Sequence, residues 1–387
     1  MVVCIHNMLR CCNSVGQVVV NRSYHSHLPH TMKCLALQDY ANTVSELKHE
    51  ATSRCPTQRD LKPEEALIKV HAASVNPIDI AMSQGYGRNM INTLRQQKNI
   101  AEFPLILGRD FSGTVVERGK KLRRFQLGES VYGVRDVVGQ GTHAEYVIVN
   151  KHEISPKPKN IDHVSAASLP YVACTTWFSL IATGAVPTSG QRKKILIPGG
   201  SGGIGSFAAQ LCEAYGHHVV TTCASDAIPL LTQKLSLQHV IDYKSSTYED
   251  ELRAAGPFDV ILDTLGGPHE TFLKGLLRAS MSSHYVTLRP SVLPDTDSQG
   301  VALGLVSSGS KLIRSNVDQL ASGKGIYSWG LFRPNALVLN NINDLVENGA
   351  VKPLVDKVYS IDDIYEAYLH SEGGHARGKT VITMTKT

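Results

Sequence analysis

The stretch that decides the fold is KKILIPGGSGGIGSFAAQLCEAYGHHVVTTCAS, residues 193–225. It begins with the apolar run 195–197, continues through five closely spaced glycines, and then shows apolar residues at helical spacing. A second apolar run at 219–223 ends the stretch. Strand, glycine turn, helix and strand in this order predict a βαβ unit.

The glycines of this unit match the pattern G-x-G-x-x-G at Gly200, Gly202 and Gly205. Such glycines allow a tight turn, close backbone approach to a pyrophosphate, and packing of the helix on the strand. The free N–H groups at the helix start favour phosphate binding. A flexible loop is the alternative, but the flanking strands favour a dinucleotide site. We therefore predict cofactor contacts for Gly200, Ser201, Gly202, Gly203, Ile204 and Gly205.

Length and composition indicate a globular protein of about two domains. The chain has 387 residues, of which 42% are hydrophobic and 19% charged, as is usual for soluble enzymes. The formal charge is +5, and residues 1–33 contribute three cations and no Asp or Glu. Because the rest of the chain is nearly neutral, no nucleic-acid partner is predicted.

The acid-free, basic N-terminus is typical of a mitochondrial presequence. We predict a transit peptide over residues 1–32, cleaved or disordered, and a location in the mitochondrial matrix. An extension without a targeting role is the alternative. No later stretch reaches the roughly 18 uninterrupted apolar residues that a membrane span needs. No span is therefore predicted.

The eight cysteines do not indicate a disulfide framework or a structural zinc site. Four of them lie in or beside the leader. The other four show no C-x-x-C spacing, and we expect them to be reduced and mostly buried; they are Cys55, Cys174, Cys212 and Cys223.

The remaining sequence predicts an α/β protein with two kinds of domain. Residues 33–162 contain short strands punctuated by Gly and Pro, which favours an irregular β-barrel. Residues 163–326 open with a long apolar helix (165–185) and then alternate strands with helices, which predicts a doubly wound parallel sheet. Residues 327–387 end in a strand that we expect to return to the barrel.

Several motifs resemble the medium-chain dehydrogenase/reductase family, and more narrowly its quinone oxidoreductase branch. They are NPID (76–79), GRD (108–110), GESV (128–131), the glycine loop, DTLGG (263–267) and GKT (378–380). The resemblance implies a GroES-like β-barrel substrate domain and a Rossmann domain. It also implies hydride transfer to a quinone-like acceptor in mitochondrial ubiquinone metabolism, and it raises the prospects of a homodimer and of a mitochondrial protein partner.

The residues at the family's zinc position predict that this chain holds no metal. Zinc-dependent relatives place a Cys where residues 78–80 lie and Gly-His-Glu where this chain has Gly108, Arg109 and Asp110. Arginine cannot ligate zinc, and we expect Arg109 and Asp110 to pair with each other. Reduction of a quinone or enone remains feasible without the Lewis acid that alcohol oxidation needs.

The choice of nicotinamide is predicted from the ends of the second and third strands. NAD sites usually carry an acid there, but Ala224 and Ser225 are small and neutral. Asp226 comes one step late and could equally cap a helix. In the family, residues equivalent to Tyr243 and Lys244 neighbour the 2′-phosphate. We therefore predict NADPH.

The resemblance assigns further residues to the cofactor. The loop GHARGKT closes over the cofactor in the family, and its Arg377 could meet a phosphate bidentately, although a solvated basic turn is the alternative. The segment YSWGLF (327–332) resembles the lining of the nicotinamide pocket, with core or dimer packing as the alternative. The residues assigned are Thr264, Leu288, Leu331, Phe332, His375, Ala376 and Arg377.

The candidate catalytic residues are Asn76, Asp79 and Tyr86. In this fold Asn76 and Asp79 face the nicotinamide and orient the acceptor, although turn chemistry alone would explain both. Tyr86 and Tyr171 are candidate proton donors, with packing as the alternative. A 2-enoyl-thioester reductase is a second hypothesis, but no basic cluster for a phosphopantetheine arm is evident in the sequence. A cofactor-binding scaffold without turnover is a third.

Overall fold

The computed structural model describes residues 28–47 and 49–384, so most of the predicted leader lies outside the described residues. The strands are β1 (Thr31–Leu37), β2 (His49–Arg54), β3 (Glu65–Val75), β4 (Leu105–Ile106), β5 (Asp110–Arg118), β6 (Ser130–Val134), β7 (Tyr146–Asn150), β8 (Ile154–Pro156), β9 (Lys194–Ile197), β10 (His218–Cys223), β11 (His239–Asp242), β12 (Val260–Asp263), β13 (His284–Thr287), β14 (Ile326–Trp329), β15 (Val355–Ser360) and β16 (Lys379–Thr383).

The α-helices lie between these strands, and short 3₁₀ and π turns extend several of them. They are α1 (Pro77–Ser83), α2 (Arg88–Gln97), α3 (His163–Ala167), α4 (Pro170–Thr176), α5 (Gly203–Ala214), α6 (Tyr248–Ala255), α7 (Glu270–Gly275), α8 (Val292–Gln299), α9 (Val301–Ala321), α10 (Ala336–Glu347) and α11 (Ile364–Glu372).

The second unit is a parallel sheet with the strand order β11-β10-β9-β12-β13-β14. Its order is that of the doubly wound dinucleotide-binding fold, and its central strands are apolar because helices cover both faces. The predicted fold class is confirmed. The predicted boundary at residue 326 is wrong, however, because β14 pairs with β13 and therefore belongs to this sheet.

The first unit is built around β3, which pairs with β5, β7 and β16. The strand order of its larger sheet is β15-β16-β3-β5-β6-β8, and β1, β2 and β4 form a smaller sheet. Strand β16 runs antiparallel to β3, with Thr380 opposite Val75. The end of the chain thus completes the barrel as predicted, and it brings residues from 300 positions away next to the start of α1.

A shared apolar seam joins the two units. Tyr132 of the barrel packs with Val172 of α4, Phe207 of α5 and Leu339 of α10 in one buried cluster. The Tyr132 hydroxyl also donates to the Leu339 carbonyl at 2.8 Å. The glycine turn at the start of α5 is therefore held in a defined position relative to the barrel.

The apolar stretch predicted as one helix over 165–185 is broken in the structure. Helix α3 ends at Ala167, α4 begins at Pro170, and a π-helical turn covers Trp177–Thr183. Pro170 stands at the first position of α4, where proline is tolerated because its missing N–H is not needed. It cannot donate a hydrogen bond back into α3, so the helix does not continue through it. The whole run His163–Thr183 is apolar enough to cross a membrane, but 67% of its apolar window is buried inside the protein. It is a core segment.

Helices α8 and α9 were not predicted from the sequence. They form a hairpin between β13 and β14. The hairpin also reaches the barrel unit, because Asp297 of α8 accepts the backbone N–H groups of Gly87 and Asn89 at the start of α2. It therefore makes a second connection between the two units.

Candidate functional site

The glycines of the turn between β9 and α5 have different structural roles. A Cβ at Gly200 would lie 2.2 Å from Thr221 Oγ1, and one at Gly205 would lie 2.2 Å from the Gly199 carbonyl oxygen. A Cβ at Gly202 would meet only the Gly199 oxygen, at 3.4 Å. Packing thus explains two glycines, whereas Gly202 leaves space in front of the α5 N-terminus. A phosphate fits such a space, because helix N-termini attract anions.

The other predicted cofactor residues follow the same edge of the parallel sheet. Ala224 and Ser225 follow β10, Tyr243 and Lys244 follow β11, and Thr264 follows β12. Parallel strands end at one edge, so the loops after them line a common crevice. The same edge continues after the last two strands with Leu288, Leu331 and Phe332.

The C-terminal loop that holds His375, Ala376 and Arg377 lies over the glycine turn. Gly378 forms a parallel β-bridge with Gly202. Arg377 forms an ion pair with Asp226, and its hydrogen bond lowers the pKa of that carboxyl. Asp226 is thus an ion-pair partner, and Ala224 takes the N-cap position. This contact brings the loop to the end of β10, where the ribose of a dinucleotide lies in this fold.

Polar groups also gather at the ends of β10 and β11. The Ser225 hydroxyl donates to Asp242 Oδ2 at 2.5 Å, and this bond lowers the pKa of Asp242. The Lys244 N–H donates to Asp242 Oδ1 at 2.9 Å. Lys244 and Arg377 each lower the pKa of Asp226. Two cations thus lie near the predicted ribose position.

A buried polar network lies at the barrel end of the crevice. Asn76 and Asp79 form a capping box at the start of α1, in which the Asn76 N–H donates to Asp79 Oδ2 at 2.8 Å. The Asn76 amide donates to Asp110 Oδ2 at 2.9 Å, and its oxygen accepts from Lys379. Lys379 also lies 3.3 Å from Asp110. These four side chains are at most 5% exposed.

The expected pair between Arg109 and Asp110 is wrong. Arg109 Nε lies 3.5 Å from Asp79 Oδ1, whereas Asp110 pairs with Lys379. Neighbouring side chains at the start of β5 point to opposite faces, so they cannot meet each other. Burial lowers the pKa of both Arg109 and Lys379. The network therefore contains two ion pairs, one between Arg109 and Asp79 and one between Lys379 and Asp110.

The family's zinc position does not have ligands that fit a zinc ion. Residues 78–80 are Ile, Asp and Ile, and residues 108–110 are Gly, Arg and Asp. The two carboxylates among them are paired with cations, Asp79 with Arg109 and Asp110 with Lys379. The nearby His143 uses both ring nitrogens, with Nδ1 2.8 Å from the Tyr368 hydroxyl and Nε2 3.1 Å from the Ser74 carbonyl. Within residues 28–47 and 49–384, no group of three or more His, Cys, Asp or Glu side chains could hold a metal.

The predicted catalytic residues occupy two settings. The polar atoms of Asn76 and Asp79 are hydrogen-bonded within the protein, which supports positioning rather than contact with an acceptor. Tyr86 is half-buried, and Tyr171 stacks on Phe332 with ring centroids 4.4 Å apart. Burial raises the pKa of both tyrosines, so their hydroxyls stay protonated. The catalytic assignments remain predictions.

Two buried acids from the quoted motifs hold the site together through contacts that the sequence did not predict. Asp110 accepts hydrogen bonds from Ser74, Asn76 and the Tyr171 N–H. Asp263 accepts from the Tyr285 hydroxyl at 2.7 Å and from the Gly266 N–H at 2.8 Å, which fixes the turn after β12. Lys379 was expected on a loop, but its side chain enters the barrel. A lysine at the start of an otherwise apolar strand was the available signal.

Comparisons with known proteins agree with this geometry. Residues 62–159 match the alcohol dehydrogenase GroES-like domain, and residues 235–382 match a family described as zinc-binding dehydrogenase. The chain is 40% identical to the mitochondrial NAD(P)H oxidoreductase RTN4IP1 of Danio rerio over 83% of this chain and 84% of that protein. The chain belongs to the medium-chain dehydrogenase/reductase family.

Other members of the family extend the comparison. The human NAD(P)H oxidoreductase RTN4IP1 is also 40% identical, over 83% of this chain and 82% of that protein. Reticulon-4-interacting protein 1 of Caenorhabditis elegans is 34% identical, over 83% and 88%. A quinone oxidoreductase from Coxiella burnetii has a TM-score of 0.71 at 24% identity, covering 92% of this chain and all of that one. That likeness shows a shared fold.

The comparisons confirm the predicted family, and the relatives' names agree with two further predictions. These medium-chain reductases are named mitochondrial, which agrees with the leader. Several are also named for NAD(P)H, which agrees with the nicotinamide predicted from the glycine turn.

Proposed function

We propose that this chain is a zinc-independent, NADPH-dependent oxidoreductase that delivers hydride to a quinone or a related conjugated carbonyl. The mitochondrial matrix is the proposed compartment, and ubiquinone metabolism is the proposed setting. The observation that carries the proposal is the pairing of two features. One is the open space at Gly202 beneath the Arg377 loop, and the other is a barrel network whose two carboxylates are paired with Arg109 and Lys379.

The preference for NADPH rests on the charges at the ends of β10 and β11. Arg377 and Lys244 are cations, and Ser225 offers a hydroxyl. A 2′-phosphate favours such a setting, since arginine binds phosphate through two parallel N–H groups. Asp226 does not oppose this preference, because its carboxylate is already paired with Arg377.

Zinc independence rests on what fills the metal position of the zinc-dependent relatives. Arg109 supplies a fixed positive charge against Asp79, and Lys379 does so against Asp110. These ion pairs use the carboxylates that could otherwise bind a cation. Acceptors that already accept electrons well, such as quinones, do not need a Lewis acid for hydride addition.

The chain's own residues would bind and orient the two reactants. Bound NADPH would supply a hydride, and quinone reduction consumes this hydride and one proton. The N–H groups at the start of α5 would hold the pyrophosphate. The stacked rings of Tyr171 and Phe332 would form a flat wall, and the protonated Tyr171 hydroxyl could hydrogen-bond an acceptor oxygen. Positioning accounts for much of the barrier in such reactions.

A panel of acceptors tests the proposal. The purified full chain should oxidise NADPH in the presence of a short-chain ubiquinone analogue, and NADH should serve at least about tenfold less well. Activity should survive prolonged chelation, and metal analysis should find far less than one zinc per chain. Loss of activity on chelation, or equal use of NADH, would contradict the proposal.

The panel also covers the two other hypotheses. A 2-methylene-furan-3-one reductase of Solanum lycopersicum is 28% identical over 92% of this chain and 80% of that protein, which supports including enones. Binding of NADPH without turnover of any quinone, enone or enoyl thioester would favour the scaffold hypothesis. The name reticulon-4-interacting protein 1 supports a protein partner, whether this chain turns over an acceptor or acts as a scaffold.

The proposed compartment can be tested separately. A reporter fused to residues 1–32 should be imported into isolated mitochondria and protected from added protease. A fusion in which Arg10 and Arg22 are replaced by Glu should stay outside. Import of both fusions alike would contradict the assignment of a transit peptide.

A further inference from the structure

A basic cavity lies on the barrel side of the crevice. Its volume is about 890 Å³, within the range of small-molecule sites. We use "basic cavity" for the space lined by residues 121–124, 150–153 and 333–337, together with Glu64, Asp136 and Phe178. Five of these residues are Lys or Arg: Lys121, Arg123, Arg124, Lys151 and Arg333.

The acids of the basic cavity are already committed to other groups. Glu64 pairs with Lys151 at 2.8 Å, and Glu153 pairs with Arg135. The Asp136 carboxylate accepts the N–H groups of Val138 and Gly139 at 3.0 and 2.8 Å. The acidic lining therefore does not neutralise the remaining cations.

Four of the cations have no carboxylate partner within 4 Å among the residues that the structure describes. They are Lys121, Arg123, Arg124 and Arg333, and all four are exposed. Arg124 donates to the Ile154 carbonyl and lies 4.5 Å from the centre of the Phe125 ring, which holds it in place. Like charges gathered around one space repel each other unless an anion joins them.

The basic cavity adjoins the proposed acceptor wall. Arg333 directly follows Phe332, whose ring stacks on Tyr171. On the other side, the Asp136 carbonyl accepts a hydrogen bond from Arg109 of the buried network. The lining also includes apolar surface from Phe178, Pro334 and Leu337. A ligand with both charged and apolar parts therefore suits this space.

We propose that the basic cavity binds a phosphate-bearing organic anion. The arginine side chains bind the phosphate groups, since their planar fork matches phosphate oxygens. The apolar lining contacts the organic part. The anion is either an acceptor that carries a phosphorylated arm, such as an enoyl thioester, or a ligand that does not react. The first case rests on the proposed oxidoreductase function, whereas binding itself does not.

Coenzyme A is the probe that tests binding, because it joins phosphates to a flexible arm. Titration of the full chain should show saturable binding that weakens as salt rises. The variant R123Q/R333Q should lose about tenfold or more in affinity, as expected for charge-assisted hydrogen bonds. The variant R88Q/R192Q removes two exposed cations elsewhere and should bind within about twofold of the wild type.

The outcomes separate this proposal from the proposed function. Absent binding, or equal loss in both variants, overturns the basic cavity as a phosphate site. Quinone turnover should be unchanged in both variants, and its absence from the wild type would count against the proposed function alone. A crotonyl thioester of coenzyme A reduced with a KM that rises in R123Q/R333Q identifies the anion as an acceptor. Binding without reduction identifies a non-reacting ligand.

Discussion

The glycine turn and the buried network are neighbours, since the Lys379 side chain lies against Gly203, but they are built in opposite ways. The turn uses backbone shape within residues 199–205, and its Gly202 faces open space. The network uses side chains from β3, α1, β5 and β16, and its groups bond one another at 0–5% exposure. The turn therefore leaves space for a ligand at Gly202, whereas the network is already filled by its own side chains.

This difference predicts which property a substitution changes. At Gly202, a new side chain should compete with the cofactor and leave the core intact. In the network, loss of one charge leaves its partner buried without compensation, and such losses are far more costly than loss of an exposed pair. We therefore expect substitution of Gly202 to change cofactor binding, and substitution of the network charges to change the free energy of unfolding.

The largest effect is expected for Lys379→Met. This substitution leaves Asp110 and the Asn76 oxygen without their cation, which should lower the free energy of unfolding by about 3–5 kcal/mol. Denaturant unfolding measures the change. Lys33→Met breaks a pair with Asp362 that is also short, at 2.6 Å, but whose two side chains are 51% and 35% exposed, and it should cost below about 1 kcal/mol. Equal losses would remove the contrast between the two regions.

The next effect concerns two glycines of the same turn. Gly202→Val should weaken NADPH binding by about 100-fold, roughly 2.7 kcal/mol, with little change in melting temperature, because its side chain enters the open space. Gly205→Val should instead destabilise the fold, because its Cβ would lie 2.2 Å from the Gly199 oxygen. Calorimetric titration and thermal melts separate the two. Normal NADPH binding by a folded Gly202→Val would refute the role of the turn.

A smaller effect is expected at the ribose end of the crevice. Arg377→Gln should weaken NADPH binding by about tenfold and leave NADH binding nearly unchanged, since only NADPH has the 2′-phosphate. Asp226→Asn removes the ion-pair partner of Arg377 and should not weaken NADPH binding. Both dissociation constants can be measured by fluorescence titration. Parallel losses for NADPH and NADH would remove Arg377 from the 2′-phosphate site.

The smallest effect is a pH dependence at His163 on the barrel side. Burial lowers the pKa of His163 to about 4, with help from His71 and Lys157 and against Asp162. The unfolded chain binds this proton more readily than the folded one. The contribution of His163 to the free energy of unfolding is therefore complete above about pH 6.5 and is lost as the pH falls towards 4. Discounted for partial exposure, it should be about 1 kcal/mol.

Thermal melts from pH 7 to pH 5 check this prediction. His163→Gln should show a flatter decline in melting temperature than the wild type. His152→Gln, at an exposed position, should follow the wild type. An unchanged slope in His163→Gln would show that His163 is not the titrating group.

Much of the Rossmann half was predictable because its signals are local. Alternating strands, a glycine triplet and small residues at the end of β10 all lie within short windows, and parallel strands necessarily end at one edge. The prediction failed where the packing of the folded chain, and not the local pattern of apolar residues, sets the bounds of a helix. It joined α3 and α4 into one helix across Pro170, and it missed α9, whose buried side contains small and polar residues.

The sequence by itself determined the strand, glycine turn and helix of the βαβ unit, because all of their signals lie within residues 193–225. It also showed that no cysteine or histidine stands at residues 78–80 and 108–110. Only the tertiary structure decided which side chains fill the family's zinc position. Lys379 reaches Asp110 across 269 positions, and Arg109 turns to Asp79 instead of its neighbour. Such pairs depend on which strands meet, and no local pattern specifies that.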